Sequence, residues 1–238
     1  MTTSLFANFG QVRIINLVDR PDRRQEMTAQ LTGLGAMSDN VAFFDAHRPS
    51  QRGEFTSIGA RGCFESHLSI LKDARQSGPH DILLLEDDFD FSSAGCRHAR
   101  ELMNDLVTED WDIFYGAHVM PTRGRHGLVA LGPDEPVITA SFVAFRRQVL
   151  DPMIDFLEAM LLRPAGSADF GPMHVDGAYT VFRAGHPEYR TLAAFPSFGH
   201  QRSSRSDITP SNMILDRWKL TKPIGTILRR GYNWTLRR

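Results

Sequence analysis

The chain is 238 residues long, with a formal net charge of −1, 42% apolar and 23% charged residues. This size and balance suit one globular α/β domain rather than two small ones, and the near-neutral charge supplies no global field for nucleic acid or acidic partners. Two cysteines, Cys63 and Cys96, build no disulfide framework. Met1 to Gly10 lack the basic and apolar regions of a signal peptide, and no apolar run approaches the ~20 residues of a membrane-spanning helix, so the expected setting is cytoplasmic.

In chain order, Val12-Arg13-Ile14-Ile15-Asn16-Leu17-Val18 is compact and β-branched, a first strand. Asp19 and Asp22 flank Pro21 at a helix start, and Met27, Leu31 and Leu34 recur at helical spacing until Gly35. Val41 to Ala46 predicts a second strand. Gly53 to Gly62 reads as a flexible loop that opens a helix from Cys63 to about Arg75, on which Phe64, Leu68 and Leu71 share one face. Asp81-Ile82-Leu83-Leu84-Leu85-Glu86-Asp87-Asp88-Phe89-Asp90 then joins a strand buried on both faces to an acidic exit.

A helix capped by Ser92 or Ser93 is expected as far as Val107, followed by the short strand Trp111-Asp112-Ile113-Phe114-Tyr115. Residues 121–136, rich in glycine and proline, read as a surface loop or hairpin. Val137 to Phe145 is strand-like, and Asp151-Pro152 begins a helix that ends before Pro164. The alternation predicts one α/β domain over residues 10–210, with a mainly parallel central sheet flanked by helices. Residues 211–238 form a distinct tail. From Arg217 to Arg238 seven Lys or Arg residues and no acid are interleaved with Trp218, Tyr232, Trp234 and aliphatic residues. Such a pattern suits an anionic inner-membrane surface, or a terminal helix packed on the domain with its basic face in water.

The acidic exit carries the chemistry. Glu86, Asp87, Asp88 and Asp90 repel one another, and burial would sharpen that repulsion unless cations or protons compensate. A divalent ion with oxygen ligands removes the problem, and in an open α/β sheet ligands bind beyond the carboxyl ends of the strands. The plainer alternative is a solvated acidic turn.

Several of these stretches together resemble glycosyltransferase family 25, which includes bacterial lipopolysaccharide and lipooligosaccharide galactosyltransferases and collagen hydroxylysine galactosyltransferases. The resemblance is carried by Ile15-Asn16-Leu17 with Arg20, Asp22, Arg23 and Arg24, and by Phe43-Phe44-Asp45-Ala46. It continues through Gly62-Cys63-Phe64-Glu65-Ser66-His67 and Leu85-Glu86-Asp87-Asp88, and closes with Asp176, Pro196, Gln201 and Ser206-Asp207-Ile208. The sequence departs from the family pattern at Ala60, where an acid is common, and between Ala140 and Arg147.

The resemblance implies a GT-A-type, Rossmann-like domain that binds a nucleotide sugar, with UDP-galactose as the expected donor and a cell-surface glycan or glycolipid such as lipopolysaccharide as acceptor. It also implies Mn²⁺ or Mg²⁺ on the donor diphosphate, which hard oxygen ligands favour. Asp88 is the expected direct ligand, with Glu86 and Asp87 bracing ribose, base or metal waters. Asp90 is either a second ligand, through Asp88-Phe89-Asp90, or a surface carboxylate. His200 is either a late nitrogen ligand or a surface hydrogen-bonding group. Inverting transfer needs a base; Asp176 is the first candidate and Asp112 the second. Asn16, Arg23 or Arg24, Ser66, His67 and Gln201 are expected around the nucleotide, although the arginines could form a solvated helix face and His67 could be a core histidine. Two other readings stay open: a metal-dependent nucleotidyltransferase, and a non-catalytic nucleotide-sugar-binding module.

Overall fold

A computed structural model describes residues 4–78, 80–122 and 124–202. The closing motif Ser206-Asp207-Ile208 and the basic, aromatic tail lie outside the described residues. The elements in order are β1 (Gln11–Asn16), α1 (Pro21–Gly33), β2 (Val41–Asp45), α2 (Ile58–Gln76), β3 (Ile82–Glu86), β4 (Phe89–Phe91), α3 (Ser93–Thr108), β5 (Ile113–Tyr115), β6 (Gly127–Leu131), β7 (Phe142–Phe145), α4 (Arg147–Leu161), α5 (Val175–Gly185), β8 (Thr191–Phe195) and β9 (Gly199–Gln201).

Seven strands form one sheet in the order β2-β1-β3-β7-β5-β8-β6, while β4 and β9 pair as a small antiparallel ribbon. The expected α/β class and flanking helices are present. The sheet is mixed: β1, β2, β3, β5 and β8 share a direction, and β7 and β6 run against them. Alternation along each strand builds two cores. Ile82 and Leu84 join Ile113, Val143 and Phe145 beneath α2, α4 and α5. Leu83 and Leu85 join Phe114, Phe142 and Ala144 beneath α1 and α3. β3 is therefore apolar on both faces, as a central strand covered by two helical layers must be.

The path of the chain fixes where ligands can bind. From β1 it crosses through α1 to β2 on one side, then returns through α2 to β3 on the other. The carboxyl ends of β1 and β3 thus flank a topological switch point, where the diverging connections leave a crevice. Asn16 and Glu86 are the residues at those two ends.

Four segments differ from the sequence reading. α2 begins at Ile58 rather than Cys63, because extended Ser57 caps it by accepting from the Ala60 N–H. Gly62 serves close packing: a Cβ there would sit 2.4 Å from the His47 carbonyl oxygen. α4 begins at Arg147, whose N–H donates to the Asp81 carboxylate at 3.0 Å, and it carries Pro152 within the helix. The expected strand from Val137 is confined to Phe142–Phe145. Within the stretch read as loop or hairpin, β6 forms an edge strand antiparallel to β8.

A close contact just before β9 helps tie the ribbon to the domain. Gly95, in the first turn of α3, lies so close to Phe198 that a Cβ would stand 1.9 Å from its carbonyl oxygen, which also accepts from the Ser92 N–H at 3.0 Å. Gly95→Ala must push α3 and β9 apart. Urea unfolding is expected to show a loss of about 1–3 kcal/mol, the usual cost of overpacking; an unchanged midpoint would contradict this packing.

Candidate functional site

At the switch point the structure opens a cleft of about 370 Å³. Ile15 and Leu17 line it from the end of β1, and Ala46, His47, Arg48 and Pro49 from the loop after β2. The first turns of α2 contribute Ile58, Gly59, Gly62, Cys63 and Ser66, and the acidic exit of β3 contributes Glu86, Asp87 and Asp88. One wall is fastened internally: the His47 N–H donates to Ser66 Oγ at 2.8 Å, His47 Nε2 lies 2.8 Å from Ser69 Oγ, and Ser66 Oγ donates to the Gly62 carbonyl at 2.6 Å.

Each carboxylate at the exit has a different fate. Asp87 is buried, accepts from Asn16 Nδ2 at 2.7 Å, and is paired with Arg23 at 3.1 Å. Burial pushes its carboxyl up, and these two donors oppose that push. Asp90 turns away from the cleft and accepts from Gln30 Nε2 at 2.9 Å and Arg202 Nε at 2.7 Å. Glu86 divides its oxygens. Oε1 is 3.5 Å from both Cys63 Sγ and His67 Nε2, while Oε2 accepts from Gln201 Nε2 at 3.4 Å.

Asp88 is the least compensated. Its residue is 7% exposed, and Oδ1 is buried with no hydrogen-bond partner among the described residues. Oδ2 accepts from Gln201 at 3.1 Å and lies 3.9 Å from Arg23. Burial first, and the neighbouring Glu86 charge second, push the carboxyl up to about 7. A carboxylate in this state is poised to take a cation in place of a proton.

The remaining expected residues separate clearly. Arg23 faces inward, whereas Arg24 is exposed and covers the Phe43 ring at 4.5 Å. Ser66 lines the cleft but is committed to His47 and Gly62. His67 is fully buried, with Nδ1 3.0 Å from the Tyr179 hydroxyl. His200 is exposed on β9, directly opposite Asp90 in the ribbon. Asp112 precedes β5, at the amino end of the sheet, where it accepts from Gln148 Nε2 at 2.8 Å and the Arg190 N–H at 2.7 Å. The structure does not bring Asp112 to the cleft.

Asp176 stands at the same sheet end as the acids. It lies in the first turn of α5, and its Oδ2 accepts from the Thr139 N–H at 3.1 Å. Thr139 adopts a left-handed backbone, φ 79°, and two residues later the Ser141 carbonyl accepts from the Glu86 N–H at 3.0 Å. Glu86, Asp176 and Asp88 all act on Cys63, whose thiol is pushed well above its usual value by burial and then by these charges in that order. Sequence reasoning missed His47, Arg48, Thr139 and Tyr179. Cys63, on the wall of the cleft, and His67 stand one helical turn apart on α2.

The raised Asp88 carboxyl has a sign that can be checked. Between about pH 4 and 7 the folded chain holds a proton that the unfolded chain has released, so unfolding is favoured as pH rises. In metal-free buffer, Asp88→Asn is expected to gain stability relative to the parent chain across that window, by no more than about 1.4 kcal/mol per pH unit. Parallel stability–pH curves for the two proteins would show that Asp88 titrates normally.

No family model matches the chain. It is 30% identical to human "Inactive glycosyltransferase 25 family member 3", with 52% of this chain and 25% of that protein covered. It is 28% identical to Xenopus laevis "Procollagen galactosyltransferase 1-B", covering 55% and 23%. It is also 28% identical to Danio rerio "Procollagen galactosyltransferase 1", covering 45% and 21%. The match therefore spans about a quarter of the length of these curated relatives. All three are named as members of the family or as galactosyltransferases, so the resemblance read from the motifs is borne out at modest identity over about half of the chain.

Proposed function

We propose that the chain is a metal-dependent inverting glycosyltransferase that moves a hexose from a nucleoside diphosphate sugar, UDP-galactose first, onto a hydroxyl of a glycan acceptor such as lipopolysaccharide. The observation that carries this reading is Asp88: a buried carboxylate with one unpartnered oxygen, beside Glu86, in a cleft at the switch point. The donor set suits a hard divalent cation. Asp88 and Glu86 would hold Mn²⁺ or Mg²⁺, which when bound supplies Lewis-acid stabilisation of the departing diphosphate.

The chain's own residues would do the rest. Asn16 and Arg23 fix Asp87, so that the acidic exit keeps one shape whether or not a ligand is present. Arg23 and the start of α2, both lining the cleft, offer positive charge and oriented N–H groups to phosphate. As the acceptor oxygen bonds to the anomeric carbon, the bond to the diphosphate oxygen breaks on the opposite face. The acceptor proton would pass to the Asp176 carboxylate, which Thr139 holds in place.

Two of the three relatives are named galactosyltransferases, and one is named inactive. A binding module that holds the nucleotide sugar without turnover is therefore the second reading. A nucleotidyltransferase has less support, because the link Leu17–Arg20 between β1 and α1 contains no glycine to cradle a triphosphate.

Asp88→Ala is expected to lose Mn²⁺-dependent UDP binding in calorimetry and all transfer from UDP-galactose, while its circular dichroism stays that of the parent. Retained metal-dependent binding in that variant would remove Asp88 from the site. Asp176→Asn is expected to keep UDP and Mn²⁺ binding and to lose transfer by about 10²–10⁴-fold, the usual contribution of a positioned base. If the parent chain binds UDP-galactose with Mn²⁺ but neither transfers nor hydrolyses it, the binding-module reading replaces the enzymatic one.

A further inference from the structure

Beside the acidic exit, on the wall formed by α2, lies a second constellation. Cys63 and His67 are one turn apart on α2 and present their heteroatoms to one side. Cys63 Sγ and His67 Nε2 are each 3.5 Å from Glu86 Oε1, and the three ligand atoms lie within 4.8 Å of one another. His67 is fully buried, and its Nε2 makes no hydrogen bond among the described residues. Its other nitrogen is paired with the Tyr179 hydroxyl at 3.0 Å. When Nδ1–H donates to Tyr179, Nε2 turns a lone pair toward a carboxylate and a thiol, an arrangement that a cation between them would complete.

We propose that Cys63 Sγ, His67 Nε2 and Glu86 Oε1 form a three-ligand site for a borderline-soft divalent cation, zinc or cobalt. The donor types agree: thiolate and imidazole select such metals over manganese or magnesium. Both 3.5 Å spacings to Glu86 Oε1 agree as well, since bonds of about 2.0–2.3 Å to a tetrahedral ion put neighbouring ligands about 3.3–3.6 Å apart. Tyr179 supplies the outer partner that metal-bound imidazoles require to fix their tautomer. Cys63 and Glu86 both line the cleft, so the fourth position opens toward it. The site is distinct in chemistry from the oxygen-rich position at Asp88, and it does not depend on the nucleotide-sugar reading. Glu86 Oε1 serves one side and Oε2 the other.

Cobalt titration of the full chain after chelator treatment tests this, because a cobalt–thiolate bond gives a sulfur-to-metal charge-transfer absorption. The parent chain is expected to bind one equivalent of Co²⁺ with that absorption, and Zn²⁺ is expected to bleach it. Cys63→Ser, nearly isosteric, should abolish the absorption and weaken Zn²⁺ binding at least tenfold in calorimetry. Cys96→Ser and Asp88→Asn should retain the absorption, while Tyr179→Phe should keep it and weaken binding about tenfold. Absence of the absorption in the parent chain, its persistence in Cys63→Ser, or its loss in Cys96→Ser or Asp88→Asn would each overturn the site. None of these results bears on Mn²⁺-dependent UDP binding, so the two assignments fail separately.

Discussion

Burying several like charges at one strand end is the constraint around which this domain is arranged. In a medium of low dielectric, neighbouring carboxylates cannot all remain ionised without partners. The fold answers residue by residue. Asp87 is hydrogen-bonded by Asn16 and paired with Arg23, Asp90 is drawn out by Gln30 and Arg202, and Glu86 leans on a thiol and an imidazole. Of these four acids, Asp88 alone keeps a buried oxygen with no hydrogen-bond partner among the described residues. That unevenness separates a built site from a solvated acidic turn, which would leave all four in water.

Topology supplies the partners. Asn16 reaches Asp87 because β1 and β3 are parallel neighbours, with Ile15 beside Glu86 in register. The antiparallel β7 inserted next to β3 brings the segment from Thr139 to Ser141 alongside Glu86, and that segment also fixes Asp176 on α5. The β4–β9 ribbon places Gln201 over Asp88 and Glu86. Three stretches distant in sequence thus converge on one strand exit, each through backbone pairing rather than through side-chain packing alone.

Where the sequence carried strong local signals, the architecture was legible. β1, α1, β2, β3 and α3 follow from apolar runs, helical spacing and capping serines. β6, β8 and β9 are short, and Thr191-Leu192-Ala193-Ala194-Phe195 has few β-branched residues to announce a strand that only its neighbours stabilise. α5 carries apolar residues at helical spacing, with Val175, Ala178, Tyr179 and Phe182 buried. The first turn of α2 is illegible in sequence because Gly59 and Gly62 resemble loop residues, and the close approach of His47 to Gly62 is a tertiary contact. In the site, the acidic exit, Asn16 and one inward arginine were legible because they sit beside strand ends. Which arginine turns inward depends on the Arg23–Asp87 pair, 64 positions apart, and the pairing of Asp90 with His200 joins strands still farther apart in sequence.

The absence of a side chain at Gly62 lets the loop after β2 rest directly on α2, and His47 then closes the seam through Ser66 and Ser69. Loop and helix therefore behave as one stiff panel of the cleft. A ligand settling against such a panel loses little conformational entropy from the protein, because the ordering was completed during folding. Recognition on this side should depend on shape already present, so changes in ligand preference would come from resculpting the panel rather than from altering how it moves.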